Sequence, residues 1–340
     1  MLEKPALDDS KIINSLQNGY AIHIESLEFL PIGYDSSAGV YRVTTEDSLY
    51  FLKVKKGEFY EASVSIPVFL RDQGIEEVVA PIKMKSGGYS SKLDDFTLML
   101  FPFIEGKNAM ETGLSDSQWK HFGKVLDRIH HTPLSASLQK SVRWESFELK
   151  QKWREQIEQF HRDVLTVQYE NSHAIALAKF WQSHHDEISK IYSRALELCE
   201  LNRNQDYEFV LCHSDIHTAN MLVEDSGNLH IIDWDDPILA PQERDLMFIS
   251  GHENELSYPH QQHFQAGYGT IKLATYALAY YRYEWVIQEI AEYGELVFLS
   301  RDVTDTTRSD AVREFEKLFA PGDVVDAAYS ADALIETQQK

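Results

Sequence analysis

Residues 211–223 read LCHSDIHTANMLV: two short apolar runs enclose two histidines, an aspartate and an asparagine. Three readings compete for this cluster. His213 and His217 stand four apart, as zinc ligands on one helix face do, but the flanks are strand-like and no glutamate follows the first histidine. A zinc hydrolase is therefore a distant third. A polar turn whose Asp and Asn cap the backbone explains any one of these residues but not the set.

The remaining reading draws on what lies downstream. A strand-like run ends at Asp233 within IIDWDDP, residues 231–237, and EDSG at 224–227 supplies a tight turn before it. A hairpin joining Asn220 to Asp233 brings an amide oxygen and a carboxylate to one end of a sheet, near Asp215. Hard oxygen ligands of this kind suit Mg2+, which binds through one or two carboxylates plus substrate phosphates. Asp215 is then free to accept a proton from a hydroxyl. That is the constellation of phosphoryl transfer.

Upstream, residues 27–57 hold β-branched and aromatic runs broken by GYDSSAG and TTEDS, which predicts a meander of antiparallel strands. Residues 58–75 read as a helix ending near Gly74, with Pro67 at its start or kinking it. GGYSSKLDD at 87–95 reads as a mobile turn before the strand FTLMLFPFIEG. Pro102 and Gly106 punctuate that strand and mark the expected boundary between an N-terminal part, 1–104, and a C-terminal part, 105–340. Beyond it the pattern turns helical. Ser115 and Gln118 have capping-box spacing, followed by Trp119, Phe122, Leu126 and Ile129 on one face. Helix is also predicted for about 144–200 and for the aromatic-rich stretch 270–300, with strands at EFVLCH, NMLVE and LHIID between them. The last ten or so residues are expected to fray.

Composition narrows the classes. The formal net charge is −22, with most of the acidic excess after residue 202, which argues against nucleic acid and leaves either a solvated surface or a site that attracts a cation. No apolar run approaches the ~18 residues of a membrane span. The N-terminus lacks a secretory hydrophobic region and there are two cysteines, so a cytoplasmic protein is expected. Cys212, in the run FVLC, reads as a small buried residue rather than a nucleophile. The oligomeric state is not legible.

HSDIHTAN, residues 213–220, resembles the H-x-D-x-x-x-x-N catalytic loop of the protein-kinase-like fold. IIDWDD resembles its metal-binding strand end in the form used by aminoglycoside phosphotransferases and choline-kinase-like enzymes. The likeness runs from YFLKVKKGEFYEASVSI almost to the C-terminus and is nearest the spectinomycin phosphotransferase branch of that family. The resemblance implies an α+β, two-lobed fold with a β-rich nucleotide-binding N-lobe, 1–104, and a larger, mainly helical C-lobe.

It also implies roles. Asp215 would be the catalytic base or hydroxyl-orienting carboxylate, and Asn220 and Asp233 would hold Mg2+. Lys53 in YFLKVK would meet the α- and β-phosphates of ATP, held in place by Glu61; the bland alternative is one exposed lysine among Lys53, Lys55 and Lys56. Backbone groups near Pro102 and Ile104 would meet the adenine. The turn GYDSSAG departs from GxGxxG, so phosphate anchoring falls to Ser36, Ser37 and their amides. Asp235 stands where protein kinases have glycine, and no activation segment is recognisable, which points to a small-molecule kinase.

The implied acceptor is a cationic aminocyclitol such as spectinomycin, and the implied consequence is antibiotic resistance. Asp235, Glu284 and Glu289 are the carboxylates expected around its amines, with Tyr281 and Trp285 as walls; aromatic residues at such density in a helix are more often core. His213 and His217 are expected to hold the loop, and Asp245 to anchor it. The alternatives are a metabolic kinase acting on choline, homoserine or methylthioribose, and a nucleotide-binding pseudokinase.

Overall fold

This computed structural model describes residues 4–32, 38–249, 258–301 and 303–338. Five strands, β1 (Ile24–Leu30), β2 (Ala38–Thr45), β3 (Leu49–Lys56), β4 (Ser91–Leu93) and β5 (Phe96–Pro102), form one antiparallel sheet in the order β1-β2-β3-β5-β4. β4 occupies part of the stretch expected to be a mobile turn. In the β3–β5 register Lys53 faces Met99 and Lys55 faces Thr97. Side chains alternate along a strand, so Lys53 and Lys55 share one face. Leu52 and Val54 point the other way, into a core with Tyr41, Val43, Leu98 and Leu100.

That core is closed by a helix the sequence reading did not anticipate, α1 (Asp9–Tyr20). Its Ile12 and Leu16 are fully buried, and the Asp8 side chain accepts the Ser10 amide at its N-terminus. An aspartate before apolar residues four apart was the available signal. After β3 comes α2 (Ala62–Asp72), with Pro67 buried in mid-helix rather than at its start, and Gly74 turning the chain at φ 77°. β5 leaves the sheet at Pro102, and β6 (Gly106–Asn108) follows.

The chain forms two compact units. One comprises Met1–Arg143, Leu211–Leu239 and His263–Gly269; the other comprises Trp144–Val210, Ala240–Gln262 and Thr270–Lys340. The first carries the sheet and the capped helix Asp116–His130, whose capping box between Ser115 and Gln118 is formed as expected. The second is helical. Its axis is the helix Thr275–Phe298, packed by Gln151–Thr166, His185–Arg203, Asp305–Lys317 and Val324–Gln338. Tyr280, Tyr281, Arg282 and Tyr283, four consecutive residues, are all buried, as in a helix enclosed on every side. The last helix continues to Gln338, where fraying was expected. Among the described residues no helix is long and apolar enough to cross a membrane.

Candidate active site

The residues of the opening cluster all lie in the first unit. Strands Met221–Glu224 and Leu229–Ile231 form the expected hairpin, turned at Gly227 with φ 91°. β6 pairs with the first of these strands, and Asn108 Nδ2 donates to the Ala219 carbonyl at 2.7 Å, tying the loop before it to the sheet. Just beyond the hairpin, the Ile232 amide donates to the Asn220 carbonyl at 3.0 Å. Asn220 therefore lies beside the approach to Asp233.

Both histidines act on this loop, through tautomers that their partners fix. The Asp215 amide donates to His213 Nδ1 at 3.3 Å, so Nε2 bears the proton and donates to the Ile232 carbonyl at 2.9 Å. The His213 ring is fully buried, 4.5 Å from that of Trp234. It braces this loop against the strand end, as expected. The Ala219 amide donates to His217 Nδ1 at 3.2 Å, which leaves the Nε2 proton facing Asp215 Oδ1 at 3.3 Å. The sequence reading gave His217 a packing role and missed this contact, although a histidine two residues from the aspartate was its signal.

Asn220 Nδ2 donates to the Asp215 carbonyl at 2.8 Å and to Asp215 Oδ2 at 3.0 Å. With its two protons so spent, the Asn220 amide keeps its oxygen for another partner. Asp233 and Ser214 adopt left-handed backbone, φ 64° and 76°, at a cost of about 1–3 kcal/mol each. Ser214 Oγ donates to the Asp236 carbonyl at 2.7 Å, holding the two loops together. The Asn220 oxygen and the Asp233 carboxylate are hard oxygen donors on adjoining segments, a set that fits Mg2+ and does not fit a soft metal.

Lys53 is 8% exposed, and its ammonium lies 2.6 Å from Asp233 Oδ1 and 2.7 Å from Asp235 Oδ1. Burial alone would lower its pKa, but the two carboxylates hold it well above the usual lysine range. Lys55 Nζ meets the other oxygen of Asp235 at 2.7 Å. Burial pushes the Asp235 carboxyl up, yet the two ammonium groups win and keep it well below the usual carboxylate range. The Lys53 partner was expected to be Glu61. Instead Glu61 is exposed at the start of α2, and the ion pairs of Lys53 among the described residues are those with Asp233 and Asp235.

Ser36 and Ser37 lie outside the described residues. Pro102 pairs opposite Tyr50 at the end of β5, and the Ile104 carbonyl accepts the Gly106 amide at 3.0 Å. Glu284, Glu289 and Tyr281 belong to the second unit. Tyr281, expected as a wall of the acceptor site, is fully buried against Phe147 and Tyr280, with the Arg244 guanidinium 5.4 Å from its ring centre. Glu284 is 9% exposed and paired with Arg244 at 2.6 Å, so its charge already has a cation. Glu289 accepts the Trp285 indole N–H at 3.0 Å. Asp245 is fully buried in the short helix Glu243–Leu246.

Known proteins resemble this chain along nearly its whole length. The family described as "Phosphotransferase enzyme family" matches residues 27–282. A solved structure of spectinomycin phosphotransferase APH(9)-Ia with ADP and spectinomycin is 33% identical, covering 97% of this chain and 99% of that one, with a TM-score of 0.85. The AMP-bound complex of APH(9)-Ia is 32% identical over 95% of this chain and 98% of that one, with a TM-score of 0.80. Protein StrN of Streptomyces griseus is 24% identical over 315 residues, 86% of this chain and 88% of StrN. With the family matched across most of its length, and a kinase-like fold around the site, the chain belongs to the phosphotransferase enzyme family and is a phosphotransferase acting on hydroxyl groups.

Proposed function

We propose that this protein transfers the γ-phosphoryl group of ATP to a hydroxyl of a cationic aminocyclitol, spectinomycin first among them, with Mg2+ and in the cytoplasm. The observation that carries the reading is the Asp215 carboxylate, exposed on its loop yet held at both oxygens by Asn220 and His217. A group so placed can accept or direct the proton of an acceptor hydroxyl as the oxygen attacks phosphorus. The choice of acceptor rests on the likeness to APH(9)-Ia, whose structure holds ADP and spectinomycin.

Lys53 leaves its two carboxylates to meet the α- and β-phosphates. Asn220 and Asp233 would hold Mg2+, which supplies neutralisation of charge on the phosphates when bound. Backbone groups near Pro102 and Ile104, at the end of the β-rich N-lobe, meet the adenine edge. Most of the acceleration then comes from positioning and electrostatics rather than covalent chemistry. A phosphate added to the drug opposes its cationic character and spoils its fit to its target, giving resistance.

ADP release measured side by side with spectinomycin, streptomycin, choline and homoserine tests the acceptor. Spectinomycin should respond; a response to homoserine alone would overturn the assignment. Asp215→Ala should lower turnover by roughly 10²-fold or more, with nucleotide affinity nearly unchanged. Undiminished transfer by that variant removes Asp215 from the mechanism.

A further inference from the structure

A cavity of about 500 Å³ lies beside the lysine–aspartate cluster, within the first unit. Lys55, Thr97 and Met99, from the β3 and β5 face that also carries Lys53, line it, as do Phe59 and Tyr60 on the approach to α2. Asp235 and Asp236 contribute to the lining, and the exposed Glu58 adds a third carboxylate. Its volume is within the usual range for small-molecule sites.

Two observations distinguish it from a packing defect. Thr97 is 2% exposed, and its hydroxyl is buried without a hydrogen-bond partner among the described residues, a costly arrangement unless a ligand or water meets it. The two aspartates are also already engaged with the protein's own cations. Asp235 takes Lys53 on Oδ1 and Lys55 on Oδ2, while Asp236 takes Arg143, whose guanidinium lies 4.0 Å from the Tyr60 ring centre.

A nucleotide's phosphates compete directly for Lys53. Once Lys53 turns to them, Asp235, which lines the cavity, loses one of its two cations, and a half-buried carboxylate held by Lys55 alone is less well compensated. An ammonium group on a ligand in the cavity can take the vacated place. We propose that this cavity is the subsite for an amine of the acceptor, and that Asp235 is handed from Lys53 to that amine when nucleotide binds. The inference rests on the aminocyclitol kinase reading above and adds to it an order: nucleotide binding prepares the acceptor site. Lys55, which keeps the second oxygen, sets how strongly Asp235 is held beforehand.

The test is acceptor binding by calorimetry on the full chain, with spectinomycin as probe, with and without Mg2+ and a non-hydrolysable ATP analogue. In the unsubstituted protein the analogue should tighten spectinomycin binding by about tenfold or more. Asp235→Asn should abolish that tightening. Lys55→Met should let spectinomycin bind more tightly than to the unsubstituted protein when no nucleotide is present. Thr97→Leu, which narrows the cavity, should weaken spectinomycin while the analogue binds as before. Equal spectinomycin affinity with and without the analogue, in an enzyme that phosphorylates it, overturns this inference and leaves the proposed function standing. Tightening that survives Asp235→Asn also overturns it. Failure to turn over any cationic acceptor removes both.

Discussion

The proposed base, Asp215, has a donor for each carboxylate oxygen, and the two donors differ in origin. Asn220 reaches Oδ2 from the end of the short 3-10 turn, and His217 reaches Oδ1 from its start, with its tautomer fixed by the Ala219 amide. Removing one donor lets the carboxylate rotate away from a productive line with the acceptor hydroxyl. His217→Leu should therefore lower kcat by roughly tenfold or more while the nucleotide KM changes little, because misplacing a catalytic group costs rate rather than nucleotide binding. His217→Gln, whose amide N–H can reach the same oxygen, should restore most of the rate. A drop in thermal stability with kcat unchanged in the leucine variant would reduce His217 to a packing role. That Asn220 lies beside Asp215 and the approach to Asp233 was legible because one loop and one hairpin fix it, and hairpins announce themselves through turn chemistry. The partner of Lys53 was not. Glu61 stands 8 residues from Lys53 and Asp233 stands 180 away, and which carboxylate the ammonium meets depends on how distant segments close on each other.

Among the elements, the helix Asp116–His130 shows both what periodicity reveals and where it stops. Its capping box and its buried Phe122, Leu126 and Ile129 follow from local spacing. The reason for Gly123 in its middle does not, since a helix-interior glycine costs about 1 kcal/mol relative to alanine. A Cβ there would lie 2.2 Å from the Phe264 carbonyl oxygen, and one on Gly267 would lie 1.9 Å from the Lys120 carbonyl oxygen. The two glycines allow two backbones to approach more closely than any side chain permits. Gly267→Ala should thus destabilise the protein by about 1–3 kcal/mol or more, read as a lower urea midpoint with the m-value unchanged. An unshifted midpoint would mean that the backbones separate at no cost. That approach joins residues 144 positions apart, so neither glycine is legible alone. The missed α1 is a different case: its signal was local, but it was outweighed by the strand-rich stretch that follows.

For the molecule as a whole, composition was informative about charge and nearly silent about assembly. The first compact unit recruits Leu211–Leu239 and His263–Gly269 from far along the chain, so no single cut in the sequence expresses the division. The charge of −22 is a property of the whole chain and was readable at once. Its field attracts cations, the proposed acceptor among them, in dilute salt and fades as counterions screen it, the Debye length falling from about 30 Å at 0.01 M to about 8 Å at 0.15 M. Steering acts on encounter, not on the chemical step. Raising NaCl from about 0.01 to 0.15 M should therefore lower kcat/KM for spectinomycin several-fold while kcat stays nearly constant. An uncharged alcohol that the enzyme accepts should show no such loss. The local exchange at Asp235 makes a separate demand, because its carboxylate is half-buried and its partners lie at contact distance, where screening by salt is weak. Salt should consequently weaken spectinomycin binding by similar factors in the presence and absence of the nucleotide analogue, so that the ratio of the two affinities holds across the series. A ratio that collapses with salt would assign the coupling to the long-range field of the whole chain instead of to Asp235.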